Sequence, residues 1–113
     1  MAYIPDSGEI VWIMFNPQVG HEQAGRRPAL VLSPKAYNGK AGLALLCPIT
    51  SQIKGYPFEV LIPEGLEVNG GILSDQVKSL DWKARQAEFS CQLPPDKFNE
   101  VIQKLSTLIR EQR

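Results

Sequence analysis

Along residues 8–93 the apolar residues come in short runs cut by turn formers, and only after Pro94-Pro95 do they recur at three- and four-residue spacing. That change of period limits the fold more than any other feature: strands first, one helix last. "GEIVWIMF" (8–15) is β-branched and aromatic, opened by Gly8 and closed by Asn16-Pro17, and reads as a strand. Both its faces are largely apolar, so it belongs in the middle of a sheet or at an interface between copies. "PALVLS" (28–33), "GLALLCPIT" (42–50) and "FEVLI" (58–62) give three more strands, the last alternating with Glu59 outward. "GGILSDQVKSLD" (70–81) reads as a short strand followed by a turn, and "KARQAEFSCQL" (83–93) as a last strand. Turns are expected at Asn38-Gly39, Lys54-Gly55, Pro63–Gly65 and Asn69-Gly70.

From Pro95 onward Phe98, Val101, Ile102, Leu105, Leu108 and Ile109 mark one face of an amphipathic helix. Pro95 suits its first turn, Asp96 and Glu100 lie toward its positive end, and Arg110 and Arg113 come last. A chain of 113 residues with no linker or repeat is one domain, 1–113. Its fold class is mainly β with a C-terminal helix, expected as a small twisted antiparallel barrel plugged by that helix.

Twelve basic and twelve acidic side chains cancel, which argues against coating nucleic acid by bulk charge. The distribution is uneven: residues 16–56 carry +4 and residues 57–75 carry −4, so a local basic patch can still focus an anionic ligand. Cys47 and Cys91 form no CxxC pair and read as buried free thiols of a reducing cytoplasm, with no metal site. The N-terminal "MAYIPDSGEI" lacks the pattern of a signal peptide, and no apolar run approaches a membrane span, so a cytoplasmic protein without membrane contact is expected.

The chemistry concentrates in "GHEQAGRRPALVLS" (20–33), where a glycine-bounded loop carries His21, Glu22, Gln23, Arg26 and Arg27 straight into a strand. Arg27 precedes Pro28, which holds it extended and limits where its guanidinium can point. Such a planar fork of donors suits phosphate recognition. Glu22 either pairs with an arginine or accepts a proton from a substrate, and His21 reads as a solvated loop residue. Thr50 and Ser51 end the third strand; their hydroxyls cap a turn, or meet a phosphate beside Arg27 if the third strand pairs with the second. Lys54 and Tyr56 offer a cation and a stacking ring, a combination suited to single-stranded RNA. Asp75, Gln76 and Lys78 are polar groups at a strand end. With one histidine and no carboxylate cluster, HExxH, GxSxG or P-loop motif, hydrolysis here would have to use the substrate's own nucleophile. RNA supplies one in its 2′-hydroxyl, leaving the protein to position, shuttle protons and stabilise charge.

The blocks "PDSGEIVWIMFNP…GHEQAGRRPALVLSP", "YN", "PITSQIKGYPFEV" and "LSDQVKSLDWKAR" closely resemble the MazF/PemK family of toxin endoribonucleases, in order and spacing from Pro5 to Arg85. The resemblance implies an SH3-like barrel of the MazF/CcdB type, a homodimer, and sequence-specific cleavage of single-stranded RNA without metal or other cofactor. It also implies control by a labile MazE-like antitoxin, expected to bind through an acidic, apolar segment. It assigns the catalytic pair to Arg27 and Thr50, with Glu22 joining them and Gln23 beside it. Contacts to RNA would map to Lys54, Tyr56, Asp75, Gln76 and Lys78, with Arg26 and Ser51 as adjoining candidates. Because a guanidinium holds its proton far above neutral pH, Arg27 is better read as a stabiliser of the phosphorane and a proton donor than as the base. Glu22 is then base or orienter, and Thr50 holds the phosphate through its hydroxyl. Two rival readings are a barrel toxin that poisons DNA gyrase and a non-catalytic RNA-binding barrel. The first acts through a C-terminal tryptophan, whereas this chain has none after Trp82; the second conflicts with the presence of both Arg27 and Thr50.

Overall fold

The computed structural model describes residues 2–15 and 25–110. Its elements are β1 (Glu9–Met14), β2 (Arg26–Val31), α1 (Lys35–Ala41), β3 (Ala44–Thr50), β4 (Glu59–Leu61), β5 (Gly71–Leu73), β6 (Lys78–Leu80), β7 (Glu88–Gln92) and α2 (Pro95–Ile109). The strands form one antiparallel sheet in the order β4-β5-β3-β2-β1-β7, with β6 also paired to β3. Strand β1 lies between β2 and β7, the central place its two apolar faces called for. The long strand β3 keeps β2 on one edge and takes β6 and then β5 along the other. Among the described residues β4 and β7 share no pairing, so the expected barrel is met as an antiparallel sheet with a terminal helix, not as a closed ring.

Alternation along the central strands sends residues to two cores. Ile10, Leu30, Cys47 and Ile49 join one cluster, which Val101 of α2 completes and Phe98 flanks. Their neighbours Val11, Ala29, Val31 and Leu46 join the other, closed by Leu80 and Trp82. Burying a large aliphatic side chain of this kind contributes about 1.5–3 kcal/mol, and both faces of the sheet gain from it. Both cysteines are free and buried, as expected.

The structure departs from the sequence reading in four places. Asn38-Gly39 is not a turn but lies inside α1, which ends on Gly42 in the left-handed region (φ 73°), its N–H donating to the Asn38 carbonyl. The fully buried Asn38 side chain explains this helix: its amide donates to the carbonyls of Pro5 (2.8 Å) and Ser33 (3.0 Å) and accepts from the Ser33 hydroxyl (2.6 Å). The turn after β5 is followed by a further strand, β6. Strand β7 starts only at Glu88, because residues 82–86 form a turn in which Asp81 accepts the Ala84 N–H (2.9 Å) and Gln86 takes φ 57°. Glu59, expected outward, is buried, while Leu61 is exposed.

Helix α2 begins with Pro95 at its first turn and sets Phe98 and Val101 against the core, while Ile102, Leu108 and Ile109 stay exposed. Only the N-terminal half of its apolar face is therefore covered within one chain.

Candidate nucleic-acid interface

The register of the central strands assembles the site. Ala29 lies opposite Pro48 and Val31 opposite Leu46 on one face of the sheet. The β2–β3 ladder ends at Ala29–Pro48; Arg27 and Thr50 each lie two residues beyond that pair on their own strands, and Ile13 of β1 lies opposite Arg27. The condition posed by the sequence, that the third strand pair with the second, is met. Arg27 and Thr50 line one groove of about 740 Å³, together with Arg26, Ser51, Gln76 and Lys78. Trp12 and Phe15 give this groove aromatic walls; sequence reading saw in them only an apolar strand, although Trp12 is 37% exposed. A second hollow of about 350 Å³ shares Thr50 and Gln76 and is bounded by Lys54 and Tyr56. A polar, partly aromatic cleft with cationic side chains suits a flexible polyanion with stackable rings.

Each side chain is held in a definite way. The Thr50 hydroxyl oxygen accepts the Gln52 N–H at 3.1 Å, the turn-capping bond. Since that bond uses a lone pair, the Thr50 O–H remains able to donate to a phosphate oxygen, and the two readings of Thr50 are compatible. Thr50 is fixed from behind by Gly70, whose φ of 127° and missing Cβ permit an approach that would set a Cβ 2.3 Å from the Thr50 carbonyl oxygen. Arg26 is engaged elsewhere: it pairs with Glu88 at 2.5 Å and donates to the Gln86 carbonyl at 3.2 Å. Arg27 is exposed at the groove. Tyr56 donates its hydroxyl to Asp75 at 2.7 Å, joining two candidates that the sequence left in separate segments. That hydrogen bond, and then the Asp75 charge, raise the Tyr56 pKa and keep the hydroxyl protonated. Burial, and secondarily the charge of Asp75, push the Cys47 thiol up to about 12, which makes it a core residue rather than a nucleophile.

Glu22 and Gln23, with His21, lie outside the described residues. The two ends of that stretch meet beside the groove: the Phe15 N–H donates to the Gly25 carbonyl at 2.8 Å. Arg85 secures the point from below, donating to the carbonyls of Met14 (3.1 Å) and Phe15 (3.0 Å). Arg85 ended the last sequence block, but nothing in the sequence assigned it this anchoring contact. Among the described residues no three His, Cys, Asp or Glu side chains gather as a metal site, and no helix is long and apolar enough to cross a membrane.

Residues 6–109 match the family of PemK-like, MazF-like toxins of type II toxin–antitoxin systems. The endoribonuclease toxin MazF of Escherichia coli K12 is 48% identical over 107 residues, spanning 95% of this chain and 96% of that relative. Endoribonuclease PemK of Escherichia coli is 33% identical over 109 residues, covering 92% of this chain and 81% of its own. Among solved structures, a chain of a MazE–MazF crystal structure from Deinococcus radiodurans superposes with a TM-score of 0.88 at 49% identity, covering 98% of this chain and 100% of that one. A crystal of MazF from the same organism gives 0.87 at 56% identity, over 96% and 98% of the two chains.

Proposed function

Because the chain belongs to the PemK-like, MazF-like toxins of type II toxin–antitoxin systems, an endoribonuclease family, we propose that it cuts single-stranded RNA at specific sequences, with Arg27 and Thr50 at the reacting phosphate. The observation that carries this reading is that Arg27 of β2 and Thr50 of the neighbouring strand β3 line the same groove. In the reaction the substrate's 2′-oxygen bonds to the neighbouring phosphorus as its proton passes to a base, for which Glu22 is the candidate. The bond from phosphorus to the 5′-oxygen breaks, and that oxygen takes up a proton, for which Arg27 is the candidate donor. The fragments carry a 2′,3′-cyclic phosphate and a 5′-hydroxyl, and no metal is needed. Arg27 stabilises the charge that gathers on the phosphorane, and the Thr50 hydroxyl donates to one of its oxygens.

Gln23, Arg26, Ser51, Lys54, Tyr56, Asp75, Gln76 and Lys78 contribute to RNA binding on this reading. Arg26 is meanwhile paired with Glu88, and Asp75 accepts the Tyr56 hydroxyl and so orients that ring. We further read the sheet as the SH3-like barrel of the family and the working unit as a cytoplasmic homodimer. The exposed Ile102, Leu108 and Ile109 of α2 supply apolar surface for association. A MazE-like antitoxin would lay an extended acidic and apolar segment over the basic patch and compete with RNA, as the existence of MazE–MazF complexes of a relative supports. The test is incubation of the purified protein with a long RNA in EDTA, followed by mapping of new ends. Discrete cuts with 5′-hydroxyl ends are expected; intact RNA would remove the enzymatic reading.

A further inference from the structure

Residues 51–58, which carry Lys54 and Tyr56, contain no strand or helix, and residues 51–57 are exposed. Something other than a ladder of backbone bonds has to hold this loop over the groove. Glu59, at the head of β4, is 8% exposed and takes part in none of the ion pairs among the described residues. A carboxylate so buried is tolerated only when hydrogen bonds take up its charge. Those bonds come from the loop: Oε1 accepts the N–H of Lys54 at 3.2 Å and of Gly55 at 3.0 Å, and Oε2 lies 3.4 Å from the Lys54 nitrogen. Gly55, at φ 71°, makes the turn that aims two successive N–H groups at one anion. On the sheet side, Gly71 leaves room for the acid, since a Cβ there would stand 2.8 Å from Glu59 Cγ. From the outer side Lys104 of α2 donates to the Pro57 carbonyl at 2.7 Å. The loop is thus gripped between a buried anion and a lysine of the terminal helix, and Lys54 and Tyr56, with Glu59 at its floor, line the hollow that includes Thr50.

We propose that Glu59 is a positioning residue for substrate binding: its buried carboxylate holds the 51–58 loop so that Lys54 and Tyr56 grip RNA beside the scissile phosphate. The inference rests on the RNA-cleaving function proposed above. Glu59 acts through the loop and touches no reacting atom. Arg27 and Thr50 are held by β2 and β3, so loss of Glu59 weakens substrate binding and leaves the chemical step intact. Its oxygen is needed more than its charge, because the glutamine amide oxygen can accept the same two N–H groups.

Steady-state cleavage of a fluorogenic RNA by the full chain tests this with Glu59→Ala, Glu59→Gln and Lys104→Met. Expected is a KM raised about tenfold in Glu59→Ala, the size of effect that losing hydrogen bonds to a charged group produces. In that variant kcat should stay within about threefold of wild type, Glu59→Gln should recover most of the KM, and Lys104→Met should raise KM a few-fold. An unchanged KM in Glu59→Ala, a loss confined to kcat, or a glutamine variant as impaired as the alanine one overturns the proposal. If Glu59→Ala does not fold, Lys104→Met decides: a raised KM at unchanged kcat supports the clamp, and an unchanged KM overturns it. Wild-type protein that cuts no RNA removes both this inference and the function it rests on. Wild-type cleavage with unaltered KM in the variants removes this inference alone.

Discussion

Gly70→Ala is the most informative substitution away from the groove-lining side chains. A Cβ at residue 70 would lie 2.3 Å from the Thr50 carbonyl oxygen, against the 3.4 Å at which ordinary contact begins, so the end of β3 must move by about 1 Å. The obstacle is backbone rather than a flexible side-chain tip, and Gly70 is itself tied by the Ile62 N–H to its carbonyl at 3.0 Å. The φ of 127° adds strain for any residue with a Cβ, of order 1–3 kcal/mol. For a domain of this size that lowers the melting temperature by roughly 5–15 °C. A misplacement of about 1 Å at a catalytic group costs on the order of 100-fold in rate. The assay is single-turnover cleavage of a short RNA at a temperature where the variant is folded, with circular dichroism to establish that it is. Gly65→Ala is the control: its φ of 98° imposes similar strain, but no atom lies within 4 Å of the new Cβ. It should lose stability and keep its rate. Folded Gly70→Ala that cleaves at the wild-type rate would show that the placement of Thr50 does not govern catalysis.

Arg27→Lys keeps a charge and loses the two-pronged fork, so cleavage should fall about 100- to 1000-fold with the fold intact; a near-normal rate in this assay removes Arg27 from the catalytic role. Thr50→Val keeps the shape and deletes the hydroxyl that bonds Gln52 and is available to the phosphate. Its rate should drop with little change in the melting temperature, and a variant that cannot fold would make Thr50 a structural cap instead. Cys47 has its pKa pushed up to about 12, and both thiols are buried. A disulfide reagent at pH 8 should therefore label neither cysteine until denaturant is added, and rapid labelling of the native protein would contradict the buried placement.

What the sequence revealed depended on how local the cause was. Strands β1, β2 and β3 are legible because short apolar runs bounded by turn formers state their own burial, and the nearness of Arg27 and Thr50 to one groove follows once β2 and β3 are neighbours. Helix α1 was hidden because Asn38-Gly39 is a poor helical pair by propensity. Three hydrogen bonds of the buried Asn38 side chain, made with Pro5 and Ser33 from two separate earlier stretches of the chain, override that preference. Glu59 was misread outward since alternation cannot anticipate two backbone N–H groups from a preceding loop closing on a carboxylate. The Tyr56–Asp75 bond joins residues 19 apart through the packing of two turns, for which no spacing rule exists. Arg85 carries no local signal either, because its carbonyl acceptors lie about seventy positions away.

In the proposed mechanism the RNA's own 2′-hydroxyl is the nucleophile, and Arg27 and Thr50 serve the phosphate it attacks. The most direct measurement uses an RNA oligonucleotide that spans a mapped cut, compared with its twin bearing one 2′-deoxynucleotide immediately 5′ of the scissile phosphate, both incubated in EDTA. The parent should be cut to a 2′,3′-cyclic phosphate and a 5′-hydroxyl, and the twin should stay intact while still competing for binding. Cleavage of the twin at the substituted site, or fragments ending in 5′-phosphate, would make water the nucleophile and contradict the mechanism.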